Sequence, residues 1–171
     1  GGNNTMVGAY AGALNIDDAD NTAVGYAANY PDGGSRVTAV GSQALNANTA
    51  NDNTAIGFAA MTANTTGGAN TAVGKRALQT NTTAANNTAV GGSAMSANTE
   101  GASNVAVGAS ALSANTTGGN NTAVGTNALD ANTTGVQNTA VGMDALGANT
   151  TAAGNTAFGY RAGMTNITGT K

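Results

Sequence analysis

Residues 121–125 read Asn-Thr-Ala-Val-Gly, and this pentapeptide or a near copy occurs ten times, its glycine falling at 8, 25, 41, 57, 74, 91, 108, 125, 142 and 159. The interval is sixteen or seventeen residues throughout. Self-similarity at a short fixed period marks a solenoid, in which each repeat is one coil that buries a core only by stacking on its neighbours. The sequence therefore predicts an all-β fold, a parallel β-solenoid or β-roll of ten coils. Residues 1–171 form a single repeat domain that is elongated rather than built around a cleft. The repeat is already under way at the first residue and still running at the last, without capping segments, so the chain is expected to be a piece of a longer fibre.

Composition agrees with stacking of small side chains. Only 8% of the 171 residues are charged and 4% aromatic, with two Phe, four Tyr and no Trp. A conventional core would lack apolar volume, and close backbone approach has to replace it. Disorder is disfavoured, because the net charge is -3 and Pro31 is the only proline. With no Cys and no His, disulfides, thiolate zinc sites and histidine-based catalytic dyads are excluded. No apolar run approaches ~20 residues, so no membrane-spanning helix is expected. The first residues lack the basic and apolar regions of a signal peptide.

With the glycine of each coil as position zero, the columns of the repeat can be read individually. Position -1 is Val in eight coils, with Ile56 and Phe158 in the others; position -2 is Ala except at Met6, and position -3 is Thr except at Val105. Period-two alternation makes Thr-Ala-Val a short strand with Thr and Val on one face and Ala on the other. Position +3 is Ala in all ten coils, and +4 is Leu or Met in seven: Leu45, Met61, Leu78, Met95, Leu112, Leu129 and Leu146. Extending the alternation puts Ala +3 inside and the Leu/Met column on an opposite face that needs a partner. Another copy of the chain is the simplest partner, in cyclic association; a monomer wide enough to bury every large side chain is the competing arrangement.

The glycine column supplies positive φ or close approach where the strand turns. Asn fills position -4 except at Val37, and position +7 except at Asp32. These residues are expected to take left-handed turns and, once stacked, to form amide ladders. Ligand contact is the alternative role for them. The many Asn-x-Thr triplets, such as Asn64-Thr65-Thr66, match a glycosylation acceptor only because the repeat generates them.

The recurring Thr-Ala-Val-Gly-x-x-Ala-Leu-x-Ala of residues 122–131, with Ala128, Leu129 and Ala131, resembles the head repeat of trimeric autotransporter adhesins, Ser-x-Ala-Ile-Gly-x-x-Ala-x-Ala. It is similar also to the Asn-Thr-Ala-Val-Gly arrays of phage tail-fibre-like and related bacterial fibre proteins. The resemblance covers essentially the whole chain and implies a left-handed parallel β-roll, homotrimeric, located outside the cell on a cell surface or virion fibre. The coils here are longer than those of the adhesin heads, around Asn-Thr-Thr-Gly. Function then reads as a structural and adhesive fibre segment that attaches to a host or target cell through a glycan or protein receptor. An ice-binding solenoid and a passive spacer are the alternatives. Against ice binding, Thr -3 shares its face with Val -1 rather than with a second Thr, and the Thr columns at +8 and +9 are expected to point opposite ways.

Catalytic, cofactor and metal sites are not expected. Asp17, Asp18 and Asp20 cluster and could hold a hard cation, but without the spacing or closing Glu of an EF-hand loop, and a solvated acidic loop is the favoured reading. Basic residues are too sparse for nucleic acid. Specificity should reside at positions +1 and +2, which change freely, and in the irregular stretch from Asn29 to Arg36. The candidate receptor contacts are Tyr26, Tyr30, Arg36, Phe58, Lys75, Arg76, Tyr160 and Arg161. In that stretch an ordinary Pro31-Asp32-Gly33 turn accounts for the residues without any binding role.

Overall fold

The computed structural model describes residues 2–13, 17–30, 34–167 and 169. Each Thr-Ala-Val copy forms a three-residue strand: β1 Thr5–Val7, β2 Thr22–Val24, β3 Thr38–Val40, β4 Thr54–Ile56, β5 Thr71–Val73, β6 Thr88–Val90, β7 Val105–Val107, β8 Thr122–Val124, β9 Thr139–Val141 and β10 Thr156–Phe158. They pair in chain order as one ten-stranded parallel sheet. Register is uniform, with Thr beside Thr, Ala beside Ala and Val beside Val, as in Thr38, Ala39 and Val40 against Thr54, Ala55 and Ile56. The chain is a parallel β-solenoid with no helix among the described residues. Nine inter-strand steps make the sheet about 43 Å long.

The strand alternation holds. Ala -2 is fully buried from Ala23 to Ala140, while Thr -3 and Val -1 lie at the surface. Beyond the glycine the alternation fails. Leu45, Met61, Leu78, Met95, Leu112 and Leu129 are fully buried, as are the +3 alanines beside them, all within one chain. The expected outward Leu/Met face is therefore corrected: both columns point into the coil. The reason lies in the backbone, since the +2 and +4 residues have positive φ in every coil, for example 60° at Gln43 and 52° at Leu45. This segment is a turn and not a second strand, so period two does not apply to it. The +2 amide reaches the preceding coil (Gln43 N to Tyr26 O, 2.9 Å), and the +4 amide reaches the following one (Leu45 N to Ala60 O, 3.0 Å). Inter-coil bonding thus holds Leu and Met in a conformation that costs them roughly 1–2 kcal/mol each.

The glycine column is required on two counts. Gly41 has φ 132°, and a Cβ there would sit 2.6 Å from the carbonyl oxygen of Gly57 in the next coil. At Gly159, which no described coil follows, such a Cβ would meet nothing within 4 Å. The clash is a product of stacking.

Neither main Asn column takes the left-handed turns expected of it; the third left-handed position of the coil is -5, occupied by residues as different as Arg36, Ala69 and Ser103. The expected amide ladders do form. Along +7, the Nδ2 of Asn81, Asn98, Asn115 and Asn132 donates to the Oδ1 of Asn64, Asn81, Asn98 and Asn115, at 2.7, 3.0, 2.8 and 2.8 Å. A parallel ladder runs along -4, where the backbone N–H of Asn70 donates to Asn53 Oδ1 at 2.9 Å. The two ladders meet at the +10 carbonyl: Gly118 O accepts from Asn115 Nδ2 and from Asn104 Nδ2, both at 2.9 Å. A buried carbonyl with two amide donors leaves no lone pair unpaired.

Three coils depart from the rule, the tenth simply having Gly163 at +4 beside Ala157 at -2. In the first, Met6 replaces Ala at -2 and Gly12 replaces Leu at +4, and a Cβ on Gly12 would run into Met6 Sδ. That coil thereby keeps one large side chain, supplied from the opposite wall. In the second, Asn29 occupies the Leu/Met column, fully buried, with neither amide atom hydrogen-bonded. The Pro31-Asp32-Gly33 turn, and the +7 residues Asn15 and Asp32, lie outside the described residues.

Candidate functional site: the variable edge

Where the chain leaves each strand, positions +1 and +2 form the rim of the coil. Tyr26, Phe58, Lys75 and Tyr160 share the +1 column, with Arg76 and Arg161 beside them at +2. All six are exposed. Position +2 is not solvent-facing in every coil, however: Ala27 and Ala59 are buried. Tyr30 lies at +5, and Arg36 at -5, before the strand and away from the rim. The candidates do not form one site, because Tyr26 and Tyr160 are separated by eight coils, about 38 Å.

Three local groupings result. Near the N-terminal end, Tyr10 and Tyr26 meet edge to face, with ring centroids 5.9 Å apart at 87°. Tyr10 and Tyr30 are 6.1 Å apart at 62°. With Ala27, Gln43 and Asn46 these rings line a surface hollow of about 390 Å³. Midway along, Lys75 and Arg76 stand exposed without an ion-pair partner among the described residues. At the far end, Arg161 lies over the Tyr160 ring at 5.1 Å and reaches Asp144 at 3.5 Å.

Arg36 is engaged elsewhere. Its Nε and second guanidinium nitrogen bond the two carboxylate oxygens of Asp52, one coil on, at 2.6 and 3.0 Å. The hydrogen bonds to Arg36 hold the Asp52 carboxyl below its ordinary range, and those to Asp52 raise the guanidinium. Both groups are well exposed, so the pair adds little to stability. A second hollow of about 310 Å³ is lined by Asp130, Asp144, Gly147, Ala148 and Met164. Burial, with the Asp144 charge nearby, pushes the Asp130 carboxyl upward.

The acidic cluster is tied into the coil: Ser35 Oγ donates to Asp18 Oδ1 at 3.4 Å and Asn3 Nδ2 to Asp20 Oδ1 at 3.0 Å. Among the described residues no three His, Cys, Asp or Glu side chains gather so as to hold a metal ion. The Thr columns at +8 and +9 both lie at the surface, and the +8 hydroxyls are turned along the axis. Thr65 Oγ1 donates to Thr82 O at 2.9 Å and Thr116 Oγ1 to Thr133 O at 3.1 Å.

Tyr10, Gln43 and Asn46 were missed as site residues by the sequence reasoning. The available signal was coil arithmetic: side chains sixteen or seventeen apart are neighbours, so an aromatic at +2 stands beside one at +1 in the next coil. No protein-family model matches the chain, and no curated protein or solved structure matches it.

Proposed function

We propose that the chain is a segment of a structural and adhesive fibre in which three copies of a left-handed roll pack side by side, outside the cell on a cell surface or virion fibre. The fibre holds a binding surface against a host or target cell. The observation that carries this is the outer face of the sheet. With Leu and Met enclosed in the coil, the apolar column that the sheet presents outward is -1, where Val7 is 57%, Ile56 40%, Val90 36% and Val107 37% exposed. It is flanked by the Thr -3 column in every coil but the seventh, where Val105 stands. A continuous β-branched stripe is unlike the single scattered apolar residues of an ordinary surface. A repeated, self-complementary stripe along a rod suits cyclic packing.

Light scattering tests this directly: the expected mass is three times the 16.2 kDa of the chain, and Val90→Lys with Val107→Lys should reduce it to one while the circular dichroism is kept. A parent that is monomeric at micromolar concentration would overturn the trimer. One observation favours an ice-binding face instead, namely that Thr -3 recurs in register at the strand spacing, its hydroxyl donating no hydrogen bond among the described residues. The commitment of the +8 hydroxyls to the next coil weighs against it, and thermal hysteresis of the chain decides the matter. Failure to attach to any target cell would leave a passive spacer.

A further inference from the structure

We infer that the hollow enclosed by Tyr10, Tyr26 and Tyr30, with Gln43 and Asn46, is a binding site for a neutral saccharide. The inference deepens the adhesive-fibre reading and rests on it for its biological use. Three of the chain's four tyrosines gather here, contributed by two coils at three different columns. Every other described coil carries non-aromatic residues at +2 and +5. The rings are not core: Tyr10 is 61% and Tyr26 54% exposed, although burying them would be favourable in a chain so poor in aromatic surface.

The chemistry of the lining selects the ligand. No charged group takes part, which disfavours ionic ligands. Asn46 donates one amide hydrogen to Ala27 O at 3.2 Å, which fixes its side chain and leaves its Oδ1 able to accept. The Gln43 side-chain amide makes no hydrogen bond among the described residues. Exposed phenol rings offer flat apolar faces, and their hydroxyls together with the two amides offer both donors and acceptors around them. A pyranose has the matching pair of properties, an apolar C–H face and a rim of hydroxyls. A quaternary ammonium would use ring faces alone, whereas this lining sets amide and hydroxyl groups around rings that meet at 87° and 62°. A concave apolar surface with a few oriented polar groups is the usual form of a small-ligand site.

The repeat itself supplies substitutions the coil tolerates, because Ser already stands at +1 (Ser42), at +2 (Ser93, Ser110) and at +5 (Ser96, Ser113). Saturation-transfer NMR and calorimetry on the full chain, with glucose, galactose, mannose and N-acetylglucosamine trisaccharides and with choline chloride, provide the test. At least one trisaccharide is expected to bind with a Kd of about 1 mM or tighter. Tyr26→Ser with Tyr30→Ser should weaken it by roughly tenfold or more at unchanged circular dichroism, and Lys75→Ser with Arg76→Ser should leave it unchanged. The site is refuted if no trisaccharide binds, if binding ignores the tyrosine changes, or if choline alone binds. Target-cell attachment measured in parallel separates the two readings. Saccharide binding without attachment would support the site and sink the adhesive role; attachment that survives the tyrosine changes, with no saccharide bound, would do the reverse.

Discussion

Replacing Asn98 by Ala should be among the most destabilising single truncations in the chain, and the hydrogen-bond pattern says by how much. Asn98 is fully buried. Its Nδ2 donates to Asn81 Oδ1 and to Gly101 O, both at 3.0 Å, and its Oδ1 accepts from Asn115 Nδ2 at 2.8 Å. After truncation Asn115 keeps its bond to Gly118 O, but its second amide hydrogen loses its acceptor. Asn81 Oδ1 loses its donor, and Gly101 O has no second amide because Asn87 Nδ2 is unbonded. Two buried acceptors and one buried N–H are orphaned at about 1–3 kcal/mol each, or roughly 3–9 kcal/mol together. Asn149→Ala in the same column is the internal control. Its Oδ1 is already unpartnered, and Ala152 O keeps the Asn138 amide at 2.8 Å. Only Asn132 Oδ1 is orphaned there, for about 1–3 kcal/mol. Urea unfolding of both variants and the parent, at one protein concentration so that any association cancels, should rank Asn98→Ala below Asn149→Ala by about 2–6 kcal/mol. Equal costs, or two costs within 0.5 kcal/mol of the parent, would refute the claim that the amide ladder carries the stack.

Three further outcomes are expected. Ala111→Leu overpacks a column that is Ala in every coil and fully buried at this position, costing about 1–3 kcal/mol per chain; an unchanged melting temperature would show that the column has room. Asn29→Leu removes two unbonded buried amide atoms from a backbone conformation that Leu45 already adopts at nearly the same φ (48° and 52°), and should raise stability by about 1–2 kcal/mol, a fall in melting temperature counting against it. For Asp130, burial raises the folded-state pKa. Its contribution is therefore fully present below the unfolded value of about 3.9 and is lost as pH rises through the folded value. Asp130→Asn should then match the parent at pH 3 and exceed it slightly at pH 7, as thermal melts at the two pH values would show.

The ten coils, the parallel register and the inward Ala -2 column were legible in the sequence. A fixed interval determines which residues stack, and period two determines which face of a three-residue strand a side chain takes. The amide ladders followed too, since identical side chains at an identical coil position meet at the strand spacing. The direction of the Leu/Met column was not legible. It depends on left-handed backbone at +2, +4 and -5, where Leu, Met, Arg and Ser carry no local signature of positive φ, and only inter-coil hydrogen bonds impose it. That one turn decides that the largest apolar side chains are enclosed by a single chain, and it leaves the Val column as the outer apolar stripe. The tyrosine hollow depends on the same geometry. The sequence put Tyr10, Tyr26 and Tyr30 in successive coils, but the turn after each glycine brings columns +1, +2 and +5 to one corner, because it folds the chain back over its own rim instead of extending it.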